Sequence, residues 1–379
     1  MSCHDAKVFL RPTQLTVDLD AIVHNAGVAA AKAQGAMLCA VVKADAYGHG
    51  AVAVSHALSG AGVRWFATAL LEEAIVLRQS GIQQELLVLA GSFTQAWHEV
   101  VHHRLTPVVS QLSDLTGLSQ AAGPQGLDIH VEVDTGMARL GVAFDKVGAF
   151  FAAAKALGNV RITGLMSHLA HADDPHAEQN TTQMQRLAQA EAAAQHAGLT
   201  LKIRHMLNSG GLLCDLGPPK HMVRCGIALY GLQPQVQRHY AQLRPAMRWT
   251  TRPVAIRDVP AGTPVSYGGR FVTQRPTRLA TLPVGYADGY KRLFSNRAQV
   301  LIRGQRAPVV GAVCMDLCMV DITDIAGVDV SDEVVLMGQQ QADAIGADEM
   351  GVWADSFNYE MLCSVGSRVP RRYIGAGHT

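Results

Sequence analysis

From residue 37 to residue 225 the chain alternates short apolar runs with Ala-rich stretches of helical composition. The runs are Met37–Lys43, Arg64–Ala69, Glu85–Ala90, Thr106–Ser110, Leu127–Val133, Arg161–Ser167, Leu201–Leu207 and Met222–Cys225. The intervening segments, such as Val147–Leu157 and Glu178–Ala197, have the length of helices. Asp18 and Asp20 are placed to cap an earlier helix that runs through Ala29 to Ala33. Strands alternating with helices predict a parallel sheet, and eight such units predict a closed (β/α)8 barrel over residues 17–243.

After Leu243 the pattern changes. Arg252–Asp258, Arg278–Leu282, Ala298–Arg303, Val309–Val313, Met319–Ile322 and Glu333–Met337 read as short strands separated by Pro and Gly turns. Helical character returns only at Ala347–Trp353 and Phe357–Ser364. Residues 244–379 are therefore expected to form a mostly β second domain, joined by the irregular to extended residues 1–16.

Composition narrows the function. The chain has 379 residues, 49% of them hydrophobic and 17% charged, enough apolar material for a large core. Net charge is +1 with no basic run, which argues against nucleic acid as a partner. No apolar stretch reaches membrane-spanning length, and the N-terminus has no signal-like apolar segment. Seven cysteines include no CxxC pair, and Cys314 and Cys318 have no second pair with which to close a metal site. A reduced, cytoplasmic, metal-free enzyme is the simple expectation.

The candidate chemistry lies just beyond the predicted strands. Lys43 ends the first one, within Met37-Leu38-Cys39-Ala40-Val41-Val42-Lys43-Ala44-Asp45-Ala46-Tyr47-Gly48-His49-Gly50. A lysine there either snorkels to water or is an amine held dry and poised to form an imine. Arg139 follows strand five, His168 strand six and Asn208-Ser209-Gly210-Gly211 strand seven, while Arg224, Gly226 and Ile227 end strand eight. Barrel active sites sit at this face, with phosphate often held after strands seven and eight. Asn208 and Ser209 read alone as helix caps, but Asn-Ser-Gly-Gly opening a helix also offers N–H groups to an anion. A lysine, an anion cradle and Arg224 together point to a phosphate-bearing aldehyde, pyridoxal 5′-phosphate.

The chain resembles the alanine racemases. The resemblance is carried by Val41–Gly50, by Asp134-Thr135-Gly136-Met137-Ala138-Arg139-Leu140-Gly141 and by Met166-Ser167-His168. It continues through Met222-Val223-Arg224-Cys225-Gly226-Ile227-Ala228-Leu229-Tyr230-Gly231, Val265-Ser266-Tyr267-Gly268, Gly285-Tyr286-Ala287-Asp288-Gly289-Tyr290, Cys314-Met315-Asp316 and Tyr359-Glu360. These motifs occur in order over nearly the whole chain, and the set is far more specific than any member.

The resemblance implies a homodimer with shared active sites that interconverts L-alanine and D-alanine, supplying D-alanine for peptidoglycan or L-alanine for breakdown. Lys43 would carry the cofactor and act as one base, and Tyr267 of the other protomer as the second. Arg224 would face the pyridine nitrogen, and Arg139 the phenolic oxygen and the substrate carboxylate. Met315 would offer its backbone amide to that carboxylate from the partner, with Tyr286 also lining the substrate. Tyr47, Asn208, Ser209, Gly226, Ile227 and Tyr359 would hold the phosphate, and His168 would pack beside the cofactor. Taken singly, several have plainer readings: Tyr267 an aromatic in a turn, Arg224 a strand-end surface arginine, Met315 and His168 core, Tyr47 and Tyr359 half-buried packing.

At one position the chain leaves the family's commonest pattern. Two residues before Asp134-Thr135-Gly136, many members carry a carbamylated lysine, and here the residue is Glu132. A barrel-interior pairing of Glu132 with Arg139 is expected. The competing readings are a broad-specificity amino-acid racemase, a non-catalytic pyridoxal-phosphate carrier resembling the barrel half alone, and a cofactor-free Schiff-base aldolase.

Overall fold

The computed structural model describes residues 10–91, 96–233 and 242–375. The chain divides into two compact units, residues 20–244 and the remainder, to which residues 10–19 belong.

In the first unit eight parallel strands close on themselves. They are Met37–Val41, Trp65–Thr68, Glu85–Val88, Thr106–Val109, Leu127–Asp134, Val160–Met166, Ile203–His205 and Met222–Cys225, paired in that order. The eighth returns to the first with Met222 opposite Met37 and Cys225 opposite Ala40, so no edge is left open. The expected barrel is therefore present, each predicted run supplying one strand. Helices follow the strands, among them Val147–Ala156 and Glu178–His196. Before the barrel, helix Leu19–Lys32 carries Asp20 in its first turn and Lys32 in its last, charges that suit the helix dipole.

The barrel interior is partly polar. His130, Glu132, His205 and Arg224 are all nearly fully buried on strands five, seven and eight. Gly164 on strand six makes room for one of them, since a Cβ at that position would overlap the His130 ring.

The first strand ends at Val41, two residues before Lys43. Ala44, Asp45, Ala46 and Tyr47 then adopt φ of 52°, 53°, 54° and 53°, a left-handed turn made without glycine. Such a conformation costs an L-residue roughly 1–2 kcal/mol, so the turn stores about 4–8 kcal/mol that its surroundings must offset. It is closed by bonds from Ala46 N to Val42 O and from Gly48 N to Ala44 O, each 2.9 Å.

The second unit is mostly β, as expected. Its main sheet runs in the order Gln305–Pro308, Gln299–Ile302, Val334–Gln340, Met247–Thr251, Gln14–Asp18, Arg371–Ile374, with Asp343–Ile345 paired to Val334–Gln340. Gln14–Asp18 is second from one edge, antiparallel to Met247–Thr251 and parallel to Arg371–Ile374. A second sheet joins Ala255–Val259, Thr277–Leu282 and Cys318–Asp321. The predicted strand Val309–Val313 does not form. Gln305–Pro308 takes the pairing with Gln299–Ile302, and of the predicted run Val309 bridges singly to Val320. Trp249, Tyr290, Phe294 and Trp353 stack edge to face through the core of this unit.

Candidate active site

Within the barrel the candidate residues form a run of contacts across the C-terminal ends of strands one, six, seven and eight. Tyr47 is buried, its ring 4.9 Å from that of Tyr230. Its hydroxyl lies against the Cα of Gly226, close enough that a Cβ there would overlap it. Ser209 Oγ accepts the backbone amides of Gly226 at 3.0 Å and Ala228 at 3.3 Å. Asn208 caps the short helix Ser209–Leu213 by accepting the Gly211 amide at 2.9 Å. The hydroxyls of Tyr47 and Ser209 thus both approach Gly226, and the Tyr47 hydroxyl takes the space a side chain at 226 would need.

Arg224 is 3% exposed, and both of its terminal NH2 groups are engaged by protein. Nη1 donates to His205 Nδ1 at 2.9 Å and His205 O at 3.0 Å. Nη2 donates to Ser167 O at 2.8 Å and lies 3.2 Å from His168 Nδ1. Burial lowers its pKa to about 10, opposed chiefly by Glu132, so it remains charged at neutral pH. Burial and the Arg224 charge push His168 down to about 3, with Arg139 and Lys43 adding to the effect. Lys43 is half-buried, and its charge is felt at His168.

His205 and His130, which the motifs did not mark, extend this run into the barrel. His205 lies 2.8 Å from His130, ring nitrogen to ring nitrogen. Because Arg224 can only donate, His205 Nδ1 must accept, so its proton sits on Nε2 and is donated to His130 Nδ1. Burial, then Arg224, lowers His205 well below its ordinary value and His130 to about 4. A signal for them was present in strand Leu127–Asp134, where Asp128, His130, Glu132 and Asp134 alternate with apolar residues.

The loop after strand five is built on Asp134, whose Oδ1 accepts the amides of Gly136, Met137 and Ala138 at 2.9, 2.9 and 3.1 Å. Helix Glu178–His196 braces it, with Gln183 donating to Thr135 Oγ1 and His168 O and Arg186 donating to Thr135 O. This turn carries Arg139 to the surface, exposed. The expected pairing of Glu132 with Arg139 is not made: Glu132 is 4% exposed, and no ion pair joins the two among the described residues. Burial raises the Glu132 carboxyl above its ordinary range, with Arg224 and then Arg139 pulling it back.

The second unit groups three more predicted residues. Tyr267 follows Ser266, held at φ 63° while its hydroxyl donates to Ala312 O at 2.7 Å. The amides of Tyr286 and Ala287 donate to Cys314 O and Met315 O, each at 3.0 Å. Gly285 permits this, since a Cβ there would strike both carbonyls. Asp288, wholly buried, anchors the same turn through Gly285 N at 3.1 Å and Arg11 at 2.9 Å. Tyr267, Tyr286 and Met315 are exposed on this frame, Tyr267 by 71% and Met315 by 53%. Tyr359, half-buried on helix Asn358–Cys363, packs 5.7 Å from the Phe357 ring. Among the described residues no group of side chains could hold a metal, and no helix is long and apolar enough to cross a membrane.

Comparison with known proteins shows the family. Residues 17–234 match the family described as alanine racemase, N-terminal domain, and residues 246–373 its C-terminal domain. The chain is 41% identical over 370 residues to an alanine racemase of Desulfovibrio desulfuricans, covering 97% of this chain and 99% of that one. It is 42% identical over 375 residues to one of Symbiobacterium thermophilum, covering 97% and 98%. Among solved structures it resembles the alanine racemase of a D-cycloserine-producing Streptomyces lavendulae, with a TM-score of 0.91 and 33% identity over 97% of this chain and 99% of that one. The enzyme of Streptomyces coelicolor A3(2) gives 0.91 at 34%, over 98% and 100%. The chain is an isomerase belonging to the alanine racemase family.

Proposed function

We propose that the chain interconverts L-alanine and D-alanine with bound pyridoxal 5′-phosphate, as a homodimer whose sites are shared. The observation that carries this reading is the point of convergence beside Gly226. The hydroxyls of Tyr47 and Ser209 both reach Gly226, where a Cβ would not fit, at the barrel end where phosphate is commonly held. Tyr47, Ser209, Gly226 and Ile227 suit a phosphate dianion, with Asn208 fixing the helix start, and Tyr359 is assigned to the same group.

When bound, the cofactor supplies an aldehyde that captures amines and a conjugated ring that stabilises negative charge at the amino acid's Cα. Lys43 Nζ would be the amine that holds it. Racemisation needs a proton removed from one face of Cα and one delivered to the other. Lys43 Nζ serves one face, and Tyr267 Oη of the second protomer serves the other. The high exposure of Tyr267 and Met315 in a single chain supports their use by a partner. Arg139 and the Met315 amide hold the substrate carboxylate, and Tyr286 lines the same space. Arg224, still protonated, would face the ring nitrogen as a donor that does not give up its proton, and His168 would lie beside the ring as a neutral imidazole.

The test is a racemisation assay across amino acids combined with borohydride reduction and peptide mapping. D-alanine formed from L-alanine, with the label on the Lys43 peptide, is expected. A label elsewhere rejects the assignment of Lys43, and equal turnover of long and basic amino acids points instead to a broad-specificity racemase.

A further inference from the structure

Helix Leu71–Gln79 begins beside the left-handed turn and sends one side chain to it. Glu73 Oε1 accepts the backbone amide of Ala44, the residue after Lys43, at 2.6 Å. Its Oε2 accepts the amides of Ala69 at 2.9 Å and Leu70 at 3.1 Å. One carboxylate therefore ties the peptide that follows Lys43 to the end of barrel strand two and to the start of a helix. Asp45 contributes separately by accepting the Ala51 amide at 2.7 Å.

We propose that Glu73 is a positioning residue for Lys43: by holding the Ala44 amide it fixes the non-glycine left-handed turn, and with it the direction in which the lysine leaves the barrel. This rests on the reading of Lys43 as the cofactor's attachment point. The residue type is dictated by donor count. A carboxylate is acceptor-only and can serve three N–H groups, whereas a carboxamide has one acceptor oxygen and would aim its own N–H2 at a donor. Bonds from amides to an ionised carboxylate are also the stronger kind. The Ala69 and Leu70 bonds cap a helix, while the Ala44 bond does something a cap does not need, reaching 29 residues back to the lysine's turn.

The two roles separate experimentally. Glu73→Gln should speed amide exchange in residues 43–50 by about tenfold or more, with cofactor bound and without. It should shift the pH midpoint of the bound cofactor's absorbance band, and lower kcat about tenfold while leaving KM for alanine within about twofold. Leu70 occupies the N-cap position in extended geometry. Adding Leu70→Asp to Glu73→Gln should restore protection of helix 71–79 but not of residues 43–50, nor the absorbance midpoint. If the double variant recovers everything, or if Glu73→Gln leaves turn exchange and absorbance unchanged, Glu73 is a cap and the proposal fails. Glu73→Asp, which keeps the charge but shortens the reach, is read the same way should the Gln chain not fold. Absence of borohydride label at Lys43 in the unaltered chain overturns the attachment reading and this proposal together, whereas a normal label with unaltered exchange in the variant overturns this proposal alone.

Discussion

His205 Nε2 and His130 Nδ1 lie 2.8 Å apart inside the barrel, and the direction of their bond is set by Arg224 at the far end. A guanidinium has no acceptor, so each imidazole in turn accepts on one nitrogen and offers its proton on the other. This polarity requires both rings to be neutral.

Neutrality has a consequence for stability. His130 titrates at about 4 in the folded chain against an ordinary 6.5, so between those values the unfolded chain binds the proton more readily. Its contribution is full above about pH 6.5 and is lost as pH falls toward 4, amounting to about 3 kcal/mol at one pKa unit per 1.36 kcal/mol. His205, displaced in the same direction, adds to the trend. Denaturant unfolding from pH 7.5 to 4.5 should show a steep loss below pH 6.5, shallower in His130→Gln. A flat profile over that range would mean that the pair is not held neutral.

The barrel was legible because most of its parallel strands lie in compact apolar runs, and the helix start at Asn208 because Asn208-Ser209-Gly210-Gly211 is contiguous. Other features depend on bonds that local pattern does not encode. The Glu73–Ala44 contact spans 29 residues and the His130–His205 contact 75. The left-handed turn carries Ala, Asp, Ala and Tyr where glycine would have announced it. Strand Gln14–Asp18 is recognisable only once Met247–Thr251 and Arg371–Ile374 flank it.

Gly226 and Tyr47 form a pair that can be tested together. Gly226→Ala places a methyl group against the Tyr47 hydroxyl, and overpacking of this kind costs about 1–3 kcal/mol. Cofactor affinity should fall about tenfold or more, with the barrel still folded. In a Tyr47→Phe background the added methyl meets no oxygen, so the further loss should be smaller than in the unaltered chain. Equal losses in both backgrounds, measured by fluorescence titration, would show that the two do not share a site.

Shared sites predict complementation. A Lys43→Ala chain and a Tyr267→Phe chain should each be nearly inactive. After mixing and re-association, each heterodimer would hold one site with both residues intact, and random pairing should return about a quarter of full activity. A mixture that stays inactive although heterodimers are seen by native mass spectrometry would place Tyr267 in the site of its own chain, or in none.

Glu132 is a carboxylate kept in the barrel against its own preference. Burial raises its pKa, and the group that most opposes this is Arg224. A carboxyl raised in the folded state stabilises only below its unfolded pKa, and that contribution is lost as pH rises through the folded value. Ionising the buried carboxyl thus costs the fold, so Glu132→Gln should lose less stability than the unaltered chain as pH rises through the carboxyl's folded value. The same change leaves Arg224 without its main compensating charge and should slow turnover by about tenfold, the equivalent of about 1.4 kcal/mol in the barrier. A glutamate is anionic without carbon dioxide, so the unaltered chain should not respond to bicarbonate, whereas Glu132→Lys should regain activity as bicarbonate is added. Calorimetry and rate measurements on both variants decide the matter: a Glu132→Gln chain that melts several degrees lower yet turns over normally would make Glu132 a purely structural residue.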